Sequence, residues 1–346
     1  MTARIACLVA CAFVSMAAPM AAIAAPAAAY KAPRNAFGQP DFSGTWSNTM
    51  LTRMERPAEY GDRLVLTPAE VAALEGERVQ MRESGNEPTP VNATITDLVK
   101  KCNIPGVPSG GPDCGVNTAF IDAGEQVARV NGQPRTSLIT FPANGRIPYK
   151  PGKGGRGSGW GAGMADNPEN RSLADRCIVG QNTFMGAVMT PSLYNNTYVI
   201  QQSPTAMVIV LEMSHEPRII RLNAQHGKTP KWYGDTIGHF EGDTLVTETT
   251  NYHPEQLTRN SPQLKVTERY TRVAPGRILY QFRVEDPETY TQPWGGEYEF
   301  HTSPGPQYEY ACHEGNYGLI GILQGARADE KAGVRRDTAS AASEGE

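Results

Sequence analysis

The sequence predicts a mainly β protein whose strands form a closed barrel or a sandwich. Glycine and proline occur 35 and 27 times among 346 residues, and they interrupt most windows in which a long helix would have to run. After residue 194, short stretches of alternating apolar and polar residues recur between turn signals. Such spacing is typical of an antiparallel meander, and we expect about eight or more strands.

The N-terminal segment is typical of a secretory signal peptide. A positive charge at Arg4 precedes an apolar stretch over residues 5–20, and A-x-A cleavage sites end at residues 24 and 29. We therefore predict a signal over residues 1–24, with cleavage as late as 29, and a periplasmic or secreted protein. A retained N-terminal anchor is the alternative. No later segment approaches ~18 apolar residues, so we expect no membrane span in the mature chain.

The first structured region is predicted to contain a short N-terminal helix. Thr67 is a good N-cap, Pro68 suits the first helical position, and Glu70 completes a capping box. The helix is expected over residues 68–83, ending at Gly85. Residues 86–163 are predicted as a loop-rich insertion with long Gly/Pro-rich loops, containing a hairpin that turns at Asn131-Gly132.

The remaining strands share alternating patterns and bounding turn residues. We predict them at residues 198–202, 207–213, 218–222, 237–240, 244–251, 264–273, 278–285 and 297–302. A short C-terminal helix, weakened by three glycines, is expected at residues 316–332. Residues 331–346 are small and polar, and they predict a disordered tail.

Four cysteines remain after signal removal, which suggests disulfides in an exported chain. Three pairings are possible, and we favour Cys102–Cys114 and Cys177–Cys312. A metal site is the alternative, but C-x-x-C spacing is absent, and we predict no metal.

Several segments resemble a recurring pattern of uncharacterised secreted bacterial proteins. They lie at residues 41–46, 232–235, 240–251, 285–294 and 308–317. Gly44-x-Trp46 also resembles the opening of lipocalin-like (calycin-like) barrels. The resemblance covers residues 40–60 and 175–330. It implies an exported lipocalin-like β-barrel, here a single domain over residues 40–330, and it implies no settled reaction.

Candidate chemistry is acid–base chemistry without a cofactor. H-E-x-x-H and G-x-S-x-G are absent, and the G-x-G-x-x-G match at residues 152–157 lacks the flanking strand and helix that a nucleotide site requires. A net charge of −4 gives no basic excess for nucleic acid. A histidine or carboxylate in an aromatic-lined lumen can acquire the pKa that proton transfer needs. The candidate catalytic residues are His215, Glu212, His313 and Glu314, and the candidate substrate-binding residues are Tyr194, Arg218, Trp294, Tyr298 and Arg283.

Three functions follow from these patterns. The first is an exported, cofactor-independent enzyme, of lyase or isomerase type, acting on a small hydrophobic, aromatic molecule. The alternative is a non-catalytic protein that binds or transports such a ligand in its barrel. A structural envelope protein with a filled core is the third. The sequence does not specify an oligomeric state.

Overall fold

The structure is a computed structural model. It describes residues 30–85, 88, 91–92, 122, 124–153, 165–178, 187–192, 195–213, 217–257 and 260–334. The predicted signal peptide, most of the predicted tail and parts of the insertion lie outside these residues. Within them, neither helix has the length and apolar character needed to cross a membrane.

The fold is a closed β-barrel of nine strands, as the sequence predicted for the fold class. Strand β1 (Gly44–Ser47) closes the barrel by pairing with both the next and the last barrel strand. The other eight strands lie in sequence order: β5 (Thr197–Gln202), β6 (Ala206–Leu211), β7 (Arg218–Leu222), β8 (Asp235–Glu241), β9 (Thr244–Thr250), β10 (Lys265–Ala274), β11 (Arg277–Glu285) and β12 (Trp294–Thr302).

One strand pair departs from the predicted antiparallel meander. Strands β7 and β8 are parallel, whereas the other barrel pairs are antiparallel. Residues 223–234 form the connection, and they must return the chain to the end of the barrel at which β7 began. A tight turn cannot join parallel neighbours, which explains why this connection is longer than the hairpin turns of the barrel.

The insertion contributes three short strands. Strands β2 (Arg129–Val130) and β3 (Gln133–Pro134) form the predicted hairpin. Strand β4 (Ile139–Phe141) pairs with β12 at Gly295 and Gly296, at the opposite end of β12 from its pairing with β1. Both turn residues of the hairpin have positive φ, 51° at Asn131 and 77° at Gly132. These angles are typical of a type I′ turn, whose twist matches that of a hairpin.

Two helices flank the barrel. Helix α1 (Pro68–Gly85) has the predicted capping box, in which the Glu70 amide donates to Thr67 Oγ1 and the Thr67 amide donates to the Glu70 carboxylate. Helix α2 (Tyr317–Ala332) is N-capped by Asn316 and buries none of its residues. Its apolar N-terminal half therefore adds little to the core.

One end of the barrel is closed by aromatic side chains, and we call it the closed end. Trp46 is buried, its indole N–H donates to the Phe42 carbonyl at 2.8 Å, and Arg272 lies 4.9 Å from its ring centroid. Phe42 stacks on Phe240 at 6.4 Å. The Trp46 indole thus packs over this end of the barrel.

The long-range disulfide is present. Cys177 and Cys312 are bonded across 135 residues of sequence, with their Cα atoms 5.6 Å apart. This bond ties the segment before β5 to the segment that leads into α2. The other predicted pair, Cys102–Cys114, lies outside the described residues.

Candidate functional site

The barrel interior contains a buried ion pair, which we call the charged centre. It consists of Glu268 on β10 and Arg218 on β7, whose side chains are 0% and 2% exposed. Arg218 Nη1 donates to Glu268 Oε1 at 2.9 Å, and Nη2 contacts Oε2. A bidentate guanidinium–carboxylate pair of this kind fixes both position and orientation.

Three hydroxyl groups complete the hydrogen bonding of Glu268. Tyr280 and Tyr270 donate to Oε1 at 2.7 and 3.0 Å, and Thr247 donates to Oε2 at 3.0 Å. The carboxylate therefore receives five donors, counting the two from Arg218. A buried charge is tolerated when it is paired and fully hydrogen-bonded in this way.

The electrostatics keep each group of the centre in one protonation state. Burial opposes ionisation of Glu268, but the charge of Arg218 and the hydroxyl donors outweigh it and hold the carboxyl pKa below its ordinary value. Burial, followed by the charge of Glu268, raises the pKa of Tyr270 and Tyr280 well above the usual value. At neutral pH the centre is an ionised pair surrounded by protonated phenols.

The alternation of two strands explains this arrangement. On β10, Val266, Glu268 and Tyr270 are buried, whereas Thr267 and Arg269 between them are partly exposed. On β7, Arg218 shares the inner face with Ile220. Successive side chains of a strand point to opposite faces, so both charges are placed in the interior by register alone.

Residues 187–189 lie between the charged centre and the end of the barrel that is opposite the closed end. The Met189 amide donates to the Tyr280 hydroxyl at 3.1 Å, and Asn48 Nδ2 donates to the Met189 carbonyl at 3.2 Å. Asn48 also contacts the hydroxyl groups of Tyr198 and Tyr298, at 3.1 and 3.4 Å. This segment packs directly over the tyrosines of the core.

Aromatic side chains gather at this second end, and we call them the aromatic rim. Its members are Trp232, Tyr252, His253, Tyr290 and Trp294. The Trp232 and His253 rings lie 5.1 Å apart, and Tyr290 meets Trp294 edge-on at 5.8 Å. Tyr252 reaches the Ala187 carbonyl at 3.5 Å. Tyr290 and Trp294 belong to the core cluster that contains Tyr270 and Tyr280, and Trp232 and Tyr252 pack against that cluster.

A glycine allows the rim to approach β8. Gly234 has φ of +80°, and a Cβ at this position would clash with Thr249 and lie 2.9 Å from Tyr252 Cε1. The chain can therefore turn beneath Trp232 and enter β8 beside Tyr252 only without a side chain here.

The rim contains an unsatisfied donor. The indole N–H of Trp232 is buried, and the described residues offer it no hydrogen-bond acceptor. A buried donor without an acceptor costs about 1–3 kcal/mol relative to one that is paired. An acceptor atom of a bound molecule would remove this cost.

Three predicted binding residues lie in the barrel wall around these features. Arg218 belongs to the charged centre, Tyr298 is fully buried on β12, two strands from Glu268, and Trp294 belongs to the aromatic rim. Arg283 lies on the outer face of β11, 5.3 Å from the Phe141 ring, and makes no contact with this group. Tyr194 lies outside the described residues.

The described catalytic candidates are apart from the charged centre. Glu212 comes directly after β6, in line with the outward-facing residues of that strand, and its carboxylate accepts a hydrogen bond from the Thr197 amide at 3.4 Å. His313 and Glu314 are exposed beside Cys312, in the segment leading to α2. His215 lies outside the described residues.

Glu268 is not among the residues predicted from the sequence, although a signal for it exists. Residues 265–271 alternate, and Glu268 is the one carboxylate on the face that carries Val266 and Tyr270. A carboxylate on an apolar strand face indicates a buried, paired charge more strongly than a histidine in a loop.

Across the described residues, no three His, Cys, Asp or Glu side chains converge as metal ligands. A scan against protein-family models finds no match to the chain. Searches of curated proteins and of solved structures likewise find no match. The barrel follows from the strand pairing, while the resemblance to secreted bacterial proteins and to lipocalin-like barrels stays a prediction.

Proposed function

We propose that the protein is an exported barrel that binds a small hydrophobic, aromatic molecule at its aromatic rim. The observation that carries the proposal is the buried indole N–H of Trp232 in the aromatic rim, for which the described part of the chain offers no acceptor. Aromatic rings favour stacked or edge-on partners, and the free N–H favours a ligand that carries an acceptor oxygen. The Cys177–Cys312 disulfide is typical of proteins in oxidising compartments, which supports export.

The charged centre favours binding over catalysis at this position. A general base needs a free lone pair and a pKa near the working pH. Glu268 accepts five donors and its pKa is lowered, so it has neither property. Its role in the proposal is to hold the tyrosines and the 187–189 segment in place beneath the ligand.

Binding is tested by fluorescence titration of the purified protein with 2-naphthol, an aromatic molecule with one hydroxyl oxygen. We expect saturable binding to the wild type and at least tenfold weaker binding to Trp232→Ala, because stacking area and the indole donor are both removed. Tyr308→Ala is the matched control, since Tyr308 is 79% exposed on another part of the chain. Equal affinity of Trp232→Ala and the wild type would exclude a site at the rim.

A second candidate function is the acid–base enzyme, and one observation favours it. Desolvation raises the pKa of Asp122, and the neighbouring Glu212 carboxylate raises it further. Asn196 bonds the Asp122 backbone carbonyl at 2.7 Å, which fixes this residue beside the start of β5. Two interacting carboxylates can divide the acid and base roles, with His215 three residues after Glu212.

The enzyme is tested by mass spectrometry of aromatic and terpenoid compounds incubated with wild type, Glu212→Gln, Asp122→Asn and His215→Ala. Catalysis predicts a product that the wild type forms and that these variants lose. A wild type that binds 2-naphthol and converts none of the compounds leaves binding as the function.

A further inference from the structure

A cleft on the outside of the barrel is separate from the aromatic rim. It has a volume of about 400 Å³ and lies between the outer side of β11 and β12 and residues 125–129. Met50, Val127 and Ala128 supply apolar surface, and Arg129, Arg277 and His301 supply cationic or polar groups. The cleft thus combines an apolar wall with a cluster of nitrogen donors.

Two of these donors are neighbours across the sheet. Arg277 on β11 and His301 on β12 are directly opposed in the strand register. Opposed residues point to the same face with Cβ atoms about 5 Å apart, so the guanidinium and the imidazole reach into the same space. Both side chains extend from the outer face, away from the packed tyrosines.

Arg277 is held in place with part of its guanidinium unused. Its Nε and Nη2 contact the Glu299 carboxylate, which is 2% exposed and also accepts the Asn131 amide at 3.3 Å. The described residues offer no partner to Nη1. A guanidinium whose orientation is fixed by a buried carboxylate loses little conformational entropy when it binds a further acceptor.

His301 has no hydrogen-bond partner among the described residues, although it borders the cleft. The other charged groups nearby are engaged elsewhere. Arg129 bonds Glu75 at 2.9 Å, and Glu125 contacts Arg82. Glu125, the carboxylate that lines the cleft, is therefore paired with Arg82, while Arg277 Nη1 and the His301 imidazole have no hydrogen-bond partner in the described part of the chain.

The opposite wall is fixed by backbone contacts. The Leu51 amide donates to the Gln126 carbonyl at 2.9 Å, and the Ala128 amide donates to Thr52 Oγ1 at 2.8 Å. A Cβ at Gly124 would lie 2.7 Å from the Met50 amide nitrogen, so the backbones at Gly124 and Met50 are packed too closely to admit a side chain between them. The cleft is therefore preformed rather than assembled by a ligand.

We propose that this cleft binds small molecules that carry a carboxylate on a short apolar chain. The carboxylate accepts from Arg277 Nη1 and His301, and the chain lies against Met50, Val127 and Ala128. Charge-assisted hydrogen bonds supply the preference for an anion, and the apolar wall supplies contact area. The site is independent of the aromatic rim, because no residue lines both.

The test is an NMR titration of the full mature chain with hexanoate, a non-aromatic carboxylate, and with hexanamide as its uncharged analogue. We expect hexanoate to shift the backbone amides of residues 126–129, 277 and 301 saturably, with at least tenfold weaker binding of hexanamide. His301→Ala is expected to weaken hexanoate binding about tenfold, the usual effect of losing one hydrogen bond to a charged group.

Two further variants complete the design. Arg277→Lys keeps a cation beside Glu299 but removes the Nη1 donor whose position Glu299 fixes, so it is also expected to weaken hexanoate binding. Arg269→Ala, on the outer face of β10 and paired with Glu241, is the matched control and should bind as the wild type does. Equal affinity for hexanamide, shifts elsewhere on the surface, or unchanged binding to His301→Ala would each overturn the proposal.

Discussion

Replacing Glu268 by glutamine tests whether the charged centre holds the barrel together. The variant keeps the size of the side chain but removes the charge opposite Arg218, which is 2% exposed. An amide can keep one acceptor oxygen near Tyr270 and Tyr280, but its NH₂ group then faces the donors of Thr247 and Arg218 Nη2. Two charge-assisted bonds are lost, at about 1.5–3 kcal/mol each.

That sum agrees with the about 3–5 kcal/mol measured when one partner of a buried ion pair is removed. Urea unfolding followed by circular dichroism should therefore show the midpoint of Glu268→Gln far below that of the wild type. Since whole domains are stable by only about 5–15 kcal/mol, partial unfolding of the variant without denaturant is compatible with this expectation.

Two further proteins make the result decisive. Arg269→Ala removes a surface pair with Glu241 and should change the unfolding free energy by less than about 1 kcal/mol. Combining Glu268→Leu with Arg218→Met removes both charges, and it should be more stable than Glu268→Gln because no buried charge is left unpaired. If Glu268→Gln is as stable as Arg269→Ala, the charged centre does not have the role assigned to it.

Three other perturbations have defined outcomes. Tyr280→Phe leaves the Met189 amide and one Glu268 lone pair without a partner, so urea unfolding should show a loss of about 1–3 kcal/mol. Burial opposes ionisation of Asp235, but hydrogen bonds from Lys231 and the other donors hold the pKa of this carboxyl below its ordinary value. The ionised carboxylate therefore stabilises the fold above about pH 4, and this stabilisation is lost as the pH falls further. Asp235→Asn should have an unfolding free energy about 1–2 kcal/mol below that of the wild type at neutral pH, a modest loss because Lys231 is half exposed. This difference should shrink on acidification, and a difference that stays constant with pH would contradict the expectation. Gly296→Ala places a Cβ against the Leu138 carbonyl and should lower the melting temperature, whereas Gly242→Ala has open space around its Cβ and is strained only by its φ of +61°, so it should lower the melting temperature less.

The barrel was predictable because its signals are local. Alternation along β10 to β12 and the Asn131-Gly132 turn depend on residues that are adjacent in sequence, and period-2 patterns specify which side faces inward. The helix start at Thr67 follows from three neighbouring residues. The strand ends differ from the predicted ones by at most three residues, and they differ because tertiary pairing decides where a strand stops.

The site was less predictable because it depends on register between distant strands. Arg218 and Glu268 are 50 residues apart, and the sequence alone does not reveal that the parallel pairing of β7 and β8 places them face to face. The chemistry of histidine makes His313 a catalytic candidate, yet His313 lies on the surface. A search for charged residues on apolar strand faces would have found both members of the pair.

The most direct test of ligand binding at the aromatic rim uses the indole N–H resonances of the four tryptophans. Titration with 2-naphthol should shift the Trp232 and Trp294 resonances together and saturably. The Trp46 resonance should stay in place, because its N–H already donates to the Phe42 carbonyl at the closed end. A Trp232 resonance that does not move at saturating 2-naphthol, or one that moves no more than that of Trp46, would contradict the proposed site.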